Sequence, residues 1–327
     1  MRTVVAVVLA VLVASGVWAY RWIHQPMALT SPSVDLSIEP GTSARQIAND
    51  AAAGGVQVEP ALLYWWFRLS GESRQIKAGS YEVEAGTSPR GLLNMLVRGE
   101  EALRSVTLVE GWSFRQVREA LRKADQLKPL IQDLPAEAIM LQLGMPAVAA
   151  EGRFFPDTYT YAKGSSDLSV LQRAARAMDK KLAFAWAQRS AQTPLQSPEQ
   201  ALILASIVEK ETGRGSDRPM ISAVFSNRLR IGMRLQTDPT VIYGLGEKFD
   251  GNLRKVDLLT DTPWNTYTRA GLPPTPIAMP GKAALLAAVQ PATSKALYFV
   301  AKGDGSSVFS ATLDEHNRAV NKYQRGQ

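Results

Sequence analysis

The first hydrophobic segment lies at the very start of the chain. Thr3 to Tyr20 carry no charge and consist mainly of valine, alanine and leucine. This run of eighteen residues is near the shortest that spans a bilayer as a helix. Trp18 and Trp22 are typical of a membrane interface. We therefore predict a membrane anchor with its flank over residues 1–24, and a cleaved signal peptide is the alternative.

Short strand and helix patterns follow a proline-containing linker over residues 25–33. They are a strand over 34–38, a helix over 43–53, a helix over 59–69 and a strand over 79–84. At the corners glycine permits the turn, and a Ser or Thr hydroxyl caps the amides of the next helix. The pattern predicts a β-α-α-β module within residues 34–104.

The order and size of these segments resemble a LysM module, a small fold associated with glycans that contain N-acetylglucosamine. In its second helix, Tyr64, Trp65 and Trp66 are candidates for stacking on sugar rings. Core packing is the alternative, because the same helix has an apolar face. That face consists of Leu62, Leu63, Trp66, Phe67 and Leu69.

Residues 105–327 are predicted to form one larger domain of mixed helices and strands. A strand starts at Ser105, helices cover 113–124, 168–192, 198–212, 219–231 and 281–289, a hairpin covers 296–301 and 308–311, and a last helix starts at Leu313. The stretch after Gly232 is rich in glycine and proline and predicts turns. The chain as a whole is therefore predicted to be α+β, with a transmembrane helix, a LysM-like module and a larger mixed domain.

The composition restricts the possible chemistry. The chain has no cysteine and only two histidines, His24 and His316. Thiolate nucleophiles, disulfides and Cys-ligated metals are excluded, and a histidine-based site rests on His316 alone. We therefore expect no metal, no organic cofactor, and chemistry based on carboxylates, hydroxyls and amides. The net charge of +7 is spread along the chain without a nucleic-acid recognition motif, and it suits a protein held at an anionic bilayer.

The most informative helix pattern covers residues 198–212. Ser197 is a good N-cap, and Gln200 three residues later predicts a capping box. Gly213 is a typical residue after the end of a helix. Both ends of this helix are therefore marked in the sequence.

A carboxylate continues the apolar stripe of this helix. The bulky apolar positions are Leu204, Ile207 and Val208. Glu211 lies three and four residues further on, which places it on the same stripe. Glu209 points roughly 200° away from it, toward the side that carries Ser206. The two acids are therefore predicted not to line one cleft from the same face: one is buried or half-buried, and the other has a different role.

Two features predict a raised pKa for Glu211. Apolar neighbours disfavour its charged form, and its place in the last turn puts it at the negative end of the helix dipole. A carboxyl that stays protonated near neutral pH suits a general acid for a glycosidic oxygen. The alternative is a structural ion pair with Arg214, Arg218 or Arg228.

Long motifs in the second half of the chain resemble those of a known family. In chain order they are Glu151–Tyr159, Ala205–Thr212, Phe225–Met233, Leu235–Gly244, Asn265–Thr268 with Gly271–Pro274, and Tyr298–Ala301. They are similar to the signatures of the MltG (YceG-like) endolytic murein transglycosylases. The anchor and the LysM-like module fit the same plan, so the resemblance covers nearly the whole chain.

The resemblance implies a peptidoglycan lytic transglycosylase, a lyase that cuts the β-1,4 bond between N-acetylmuramic acid and N-acetylglucosamine and leaves a 1,6-anhydro end. It implies that Glu211, the second acid of the Glu-x-Glu pair, is catalytic. It also implies that residues 105–327 are the catalytic domain, on the periplasmic side of the inner membrane. Glycan strands are then the substrate, and peptidoglycan synthases (penicillin-binding proteins) are expected partners.

Polar side chains of the motifs are candidates to hold the sugar. Those expected to bind hydroxyls and acetamides are Gln236, Thr237, Asp238, Asn265 and Tyr267. Glu151 and Asp157 line the same cleft or tie loops together, and Glu209 and Ser206 are supporting residues. Two alternatives stay open: a hydrolysing muramidase with water as acceptor, and a non-catalytic peptidoglycan-binding scaffold that recruits synthases.

Overall fold

The first helix of the chain has the length of a membrane span. The structure, a computed structural model, describes residues 2–211 and 214–325, and helix α1 covers Arg2–His24. Within the described residues, Thr3–His24 is the one segment long and apolar enough to cross a bilayer, and its most apolar window is wholly unburied. The predicted helix is present and is compatible with a single-pass anchor; a signal sequence has the same signature.

The other elements form two compact units. The N-terminal elements are β1 (Ala28–Leu29), β2 (Ser33–Ile38), α2 (Ala44–Gly54), β3 (Val56–Gln57), α3 (Pro60–Leu69), β4 (Gly79–Glu84), α4 (Pro89–Arg98) and β5 (Leu103–Thr107). The later ones are α5 (Phe114–Lys123), α6 (Ala136–Gln142), β6 (Thr158–Ala162), α7 (Asp167–Ala187), α8 (Pro198–Glu211), α9 (Arg218–Arg230), α10 (Asp238–Leu245), α11 (Lys255–Leu259), α12 (Lys282–Val289), β7 (Tyr298–Ala301), β8 (Ser307–Ser310) and α13 (Leu313–Gln324). The first unit comprises the described residues up to Arg104 with Thr160–Ser165, and the second comprises the described remainder.

The first unit contains the β-α-α-β order that the sequence predicts. Strands β2 and β4 pair antiparallel from Ser33 opposite Glu84 to Ile38 opposite Gly79, and α2 packs on α3. Alternate strand residues point to one side and build the core. The buried strand residues are Val34, Leu36, Ile38, Tyr81 and Val83. The likeness of this unit to a LysM module stays a prediction.

The apolar face of α3 is narrower than predicted. Leu63 and Phe67 are fully buried, whereas Leu62 is 36% and Leu69 is 78% exposed. Successive helix residues differ by about 100°, so Leu62 and Leu69 lie to the side of the Leu63–Phe67 line. Predicting all of them as core was therefore wrong. Trp65, which belongs to the candidate sugar-stacking group, is 55% exposed.

Helix α8 lies at the centre of the second unit. It packs against α7, α9, α10 and α12, and every residue from Ala201 to Val208 is buried. A helix that is buried all round places no single face against the core. The apolar stripe predicted from the sequence is therefore part of a fully enclosed helix.

The start of α8 differs from the predicted capping box by one residue. The Ser197 hydroxyl accepts a hydrogen bond from the Gln200 amide at 3.2 Å, as predicted for an N-cap. The Gln200 side chain, however, accepts from the amide of Gln196 at 2.8 Å rather than from that of Ser197. Both still satisfy amides that the helix leaves unpaired. Thr212 and Gly213, the predicted end of this helix, lie outside the described residues.

Three helix predictions of the second unit need correction. Helix α7 ends at Ala187 and not at Gln192, because the chain turns where the Ser190 amide donates to the Val289 carbonyl at 2.9 Å. The turn-rich stretch after Gly232 contains two helices, α10 and α11. In α10 the proline occupies the first turn, where its missing N–H costs nothing. The sequence also missed α6.

The end of the chain follows its prediction. Strands β7 and β8 pair antiparallel, with Tyr298 opposite Ser310 and Ala301 opposite Ser307, and α13 begins at Leu313. Thr312 and Glu315 form a reciprocal capping box at the start of this helix. The first turn of α13 is therefore firmly held.

Substitution of Gly152 tests the packing of the second unit. It has φ +78°, and an added Cβ lies 2.5 Å from Pro276 Cβ. We expect Gly152→Ala to lower the free energy of unfolding by about 2–5 kcal/mol, from left-handed strain plus a clash with a rigid ring. Gly144→Ala is the matched control, with φ +77° and open space around the new Cβ, and we expect a loss of about 1–2 kcal/mol. Denaturant unfolding measures both, and equal losses contradict the predicted contact.

Candidate active site

A polar cleft opens at the C-terminal end of α8. Its cavity has a volume of about 400 Å³, which is in the range of small-ligand sites. The lining residues are Glu211, Arg228, Leu235, Gln236, Thr237, Asp238, Tyr267, Tyr298, Phe299, Leu313 and His316. The second unit alone supplies all of them. The structure thus brings together Glu211 and four of the residues predicted to bind sugar.

Glu211 is the last residue of α8 and is tied to the start of α10. The Thr237 hydroxyl donates a hydrogen bond to Glu211 Oε1. Thr237 is 2% exposed, and its own amide donates to Thr266 Oγ1 at 3.1 Å. The carboxyl is therefore oriented by a residue that is itself fixed in place.

Burial raises the pKa of Glu211 from its ordinary value of 4.5 to about 7. The hydrogen bond from Thr237 opposes this shift, the negative charge of Asp238 adds to it, and the guanidinium of Arg228 opposes it. The predicted direction agrees with this, and desolvation is the main cause. Near neutral pH both the acid and its conjugate base are populated, as one group that gives and takes a proton requires.

Asp238 and Tyr267 form a pair on the same cleft. The Tyr267 hydroxyl donates to Asp238 Oδ1 at 2.6 Å, and the Tyr267 amide donates to Asn265 Oδ1 at 2.8 Å. Asp238 is exposed to the cleft, so its carboxylate is free to face a ligand. Gln236 is also exposed there, with an unusual backbone φ of +49°.

Asn265 lies outside this cleft. It is completely buried, and its side-chain amide donates to the carbonyls of Asp257, Leu258 and Thr260 at 3.3, 3.1 and 2.7 Å. It lines a separate cavity of about 280 Å³. The hydrogen bonds of its side chain all go to backbone groups. In this structure it therefore fixes the end of α11, the following turn and the backbone of Tyr267.

Arg228 is a cleft residue that sequence reasoning considered only as an ion-pair partner. It is 8% exposed and donates to the carbonyls of Leu297 and Leu235, both at 2.7 Å. Its guanidinium lies 5.2 Å from the centre of the Tyr298 ring. It thereby joins α9, the segment before Thr237, and β7. Its place in the motif that follows α8 was the signal available in the sequence.

The two acids of the Glu-x-Glu pair have different partners. The Glu209 carboxylate accepts from Arg218 Nη2 at 2.7 Å and from the Gly281 amide at 2.9 Å. Its side chain is only 5% exposed. Glu211 lines the cleft and Glu209 is not among the lining residues, although both side chains are at least half-buried. Ser206 is buried too, and its hydroxyl accepts from the Ile277 amide at 3.0 Å.

Glu151 and Asp157 do not line the Glu211 cleft. Glu151 is 8% exposed, accepts from the Phe114 amide at 3.0 Å and lines another cavity of about 490 Å³. Burial raises the pKa of Glu151 to about 7, against hydrogen bonds from Phe114 and from the Tyr243 hydroxyl. Asp157 is exposed and accepts from the Thr158 amide at 2.8 Å. The Glu151 contact fits the second predicted role, tying loops together, whereas the Asp157 contact is local to its own turn.

The cleft holds carboxylates, hydroxyls, an amide, a guanidinium and one imidazole. Within residues 2–211 and 214–325, no group of three or more His, Asp or Glu side chains is arranged to hold a metal ion. The residues of the cleft therefore provide for proton transfer and hydrogen bonding to a polar ligand.

The fold and this cleft define an α+β protein with one protonatable carboxyl at the end of a buried helix. The chain belongs to the YceG-like family, whose family model matches residues 36–322. An endolytic murein transglycosylase of Bacillus subtilis is 31% identical over 95% of this chain and 91% of its own length. An endolytic murein transglycosylase of Streptococcus pneumoniae R6 is 26% identical over 96% of this chain and 63% of its own length.

A solved structure supports the fold. The crystal structure of a yceG-like protein of Listeria monocytogenes is 29% identical in sequence. It superposes with a TM-score of 0.55 over 88% of this chain and 98% of that chain. The similarity therefore extends beyond the motifs around Glu211 to most of the chain.

The buried carboxyl of Glu211 makes stability depend on pH. Its pKa is raised from 4.5 to about 7 on folding, so the folded state binds this proton more tightly than the unfolded state. Its contribution to stability is then full below pH 4.5 and is lost as pH rises to about 7. Glu211→Gln has no such loss, so its advantage over the wild type should grow across this range to on the order of 3 kcal/mol.

Denaturant unfolding at pH 5 and pH 8 measures this difference. Glu247→Gln is the control: its side chain is 85% exposed and it retains Glu211, so its difference from the wild type should be almost the same at the two pH values. A difference between Glu211→Gln and wild type that stays constant with pH contradicts the raised pKa.

Proposed function

We propose that this chain is an endolytic lytic transglycosylase that cuts the β-1,4 bond between N-acetylmuramic acid and N-acetylglucosamine in nascent peptidoglycan. Glu211 acts first as general acid and then as base, and the product carries a 1,6-anhydro end. As a YceG-like protein with relatives named endolytic murein transglycosylase, the chain is a peptidoglycan lyase. The observation that carries the finer mechanism is the buried Glu211 carboxyl with a pKa of about 7 in an open polar cleft.

In the first step, protonated Glu211 donates its proton to the glycosidic oxygen. The bond between that oxygen and the anomeric carbon of the muramic acid breaks, and positive charge develops on the sugar ring. The carboxylate of Asp238, which accepts a hydrogen bond from the Tyr267 hydroxyl at 2.6 Å, stabilises this positive charge. A fixed charge stabilises a transition state without reorganising during the reaction.

In the second step, the 6-hydroxyl of the same muramic acid is the nucleophile. Glu211, now a carboxylate, removes the hydroxyl proton while the oxygen forms a bond to the anomeric carbon. The acid form of Glu211 is regenerated and no water is consumed. Because the nucleophile belongs to the substrate, a single catalytic carboxyl is sufficient, and proximity supplies much of the rate.

The other predicted site residues take two kinds of role in this proposal. Gln236, Thr237, Asp238 and Tyr267 bind the sugar or orient Glu211, since all line the same cavity. The second group acts at a distance by holding backbone in place. It consists of Glu151, Asp157, Ser206, Glu209 and Asn265.

The remaining parts of the chain suit work on nascent glycan. We assign residues 105–327 as the catalytic domain and 34–104 as a LysM-like glycan-binding module, in which Trp65 is available for stacking because it is 55% exposed. Helix α1 anchors the enzyme in the inner membrane with the catalytic domain on the periplasmic side. That placement puts it beside the peptidoglycan synthases, its expected partners.

The catalytic role of Glu211 is tested with purified sacculi. We expect Glu211→Gln to release no fragments with anhydromuramyl ends while the protein stays folded, because Gln cannot donate or accept the proton. Glu247→Gln, in an exposed position, should keep wild-type activity. Mass spectrometry of the fragments is the measurement.

Three results would overturn parts of this proposal. Anhydromuramyl ends released by Glu211→Gln at the wild-type rate remove Glu211 from the mechanism. Wild-type products heavier by one water indicate a hydrolysing muramidase. Binding of glycan by the wild type without any cleavage indicates a scaffold protein.

The charge of Asp238 is tested by the pH dependence of kcat/KM. Asp238 adds to the raised pKa of Glu211, so Asp238→Asn should move the fall of activity at high pH toward lower pH. It should also lower kcat by about tenfold to a hundredfold, through loss of charge stabilisation. Asn keeps an acceptor for the Tyr267 hydroxyl, so Tyr267→Phe serves as the control for that bond. An unmoved basic limb contradicts the electrostatic role.

A further inference from the structure

His316 is part of the Glu211 cleft, although no sequence motif pointed to it. It is the fourth residue of α13 and lines the same cavity as Glu211. Its imidazole stacks on the Tyr298 ring, with centroids 5.3 Å apart and planes inclined by 24°. The Arg228 guanidinium lies 5.2 Å from the same tyrosine ring. The three side chains together form one wall of the cleft.

An imidazole at this position lowers the stability of the folded state. Its Nδ1 is shielded from solvent and has no hydrogen-bond partner among the described residues. A buried polar atom without a partner lowers stability, and an apolar group of the same shape avoids that loss. Phenylalanine would stack on Tyr298 equally well. A nitrogen here therefore needs a reason other than packing.

The protonation state of the imidazole indicates which of its nitrogens can donate a hydrogen bond. Burial lowers the pKa of His316, and the charge of Arg228 lowers it further, so the ring is neutral and carries a single N–H. An unpaired buried N–H is rarer in proteins than an unpaired acceptor. The proton is therefore assigned to Nε2, which leaves Nδ1 as the unpaired acceptor.

We propose that His316 is a substrate-contacting residue of this cleft, which donates a hydrogen bond from Nε2 to an oxygen of the bound glycan. The acceptor is a sugar hydroxyl or an acetamido carbonyl, the two uncharged oxygen types that the glycan presents. This inference rests on the proposed function, since it takes the ligand of the cleft to be peptidoglycan. The contact gives the imidazole a role that an apolar ring lacks, and Nδ1 is the atom that stays unpaired.

The fold holds His316 in place for this contact. The capping box of Thr312 and Glu315 fixes the first turn of α13, and the His316 amide donates to the Thr312 carbonyl at 3.1 Å. On the other side, Arg228 is anchored to the Leu297 carbonyl, next to Tyr298. A site built on rigid elements positions a donor better than a free loop does.

Two substitutions separate contact from packing. His316→Phe keeps the stack on Tyr298 and removes both nitrogens, so we expect an unchanged or higher unfolding temperature. With soluble, uncross-linked glycan strands, KM should rise about fivefold to tenfold, the size of one neutral hydrogen bond, with kcat nearly unchanged. His316→Gln carries an amide donor near the position of Nε2 and should recover part of this loss. Asn317→Ala, at the exposed neighbouring position, is the control and should match the wild type.

A folded His316→Phe with wild-type KM overturns the proposal. So does a His316→Gln that is no better than His316→Phe. If the wild type yields no anhydromuramyl ends, the proposed reaction fails instead, and binding alone decides the role of His316.

Proton NMR of the imidazole provides that binding measurement. His24→Gln leaves His316 as the only histidine of the chain, and Glu211→Gln prevents turnover. Addition of uncross-linked glycan strands to this double variant should shift the His316 ring signals until they saturate. Unshifted signals under conditions where the strands co-purify with the protein overturn the contact, whatever the reaction.

Discussion

Desolvation of the Glu211 carboxyl is the constraint on which the rest of the site depends. Burial is the main cause of its raised pKa, because a desolvated carboxyl is less easily ionised. Helix α8 packs against four other helices, and its last residue reaches the cleft from this buried element. Thr237 then supplies one hydrogen bond, which orients the carboxyl but is too weak to cancel the effect of burial.

The partners of two arginines help to keep the pKa of Glu211 raised. Arg218 pairs with Glu209 at 2.7 Å, and Arg228, close to Glu211, directs its donors to the carbonyls of Leu235 and Leu297. A direct ion pair with either arginine favours the charged carboxylate and removes the general acid. The donors of Arg228 are thus hydrogen-bonded to backbone carbonyls. Its positive charge offsets only part of the rise in the pKa of Glu211.

The sequence alone predicted those elements that are determined by hydrophobic periodicity and by capping residues. The capped ends and hydrophobic period of α8 predicted Glu211, and the strand pattern predicted β4 to the residue. Tertiary packing decided the rest. The amide of Asn265 suggested sugar binding, yet its NH2 group donates to three backbone carbonyls. Glycine and proline after Gly232 suggested turns, but α10 begins there at Asp238. Nothing local to His316 indicated that α13 would bring it to the cleft.

The proposed mechanism, with one carboxyl and a nucleophile from the substrate itself, places high demands on the walls of the cleft. The 6-hydroxyl attacks only if the sugar is held with that oxygen in line with the anomeric carbon. A second catalytic carboxylate does not set this alignment, so hydrogen bonds around the ring must do so. The cleft draws them from α8, the start of α10, the Tyr267 turn, β7 and α13. In the proposed mechanism, the alignment of the sugar therefore depends on segments that are far apart in the sequence and meet only in the folded second unit.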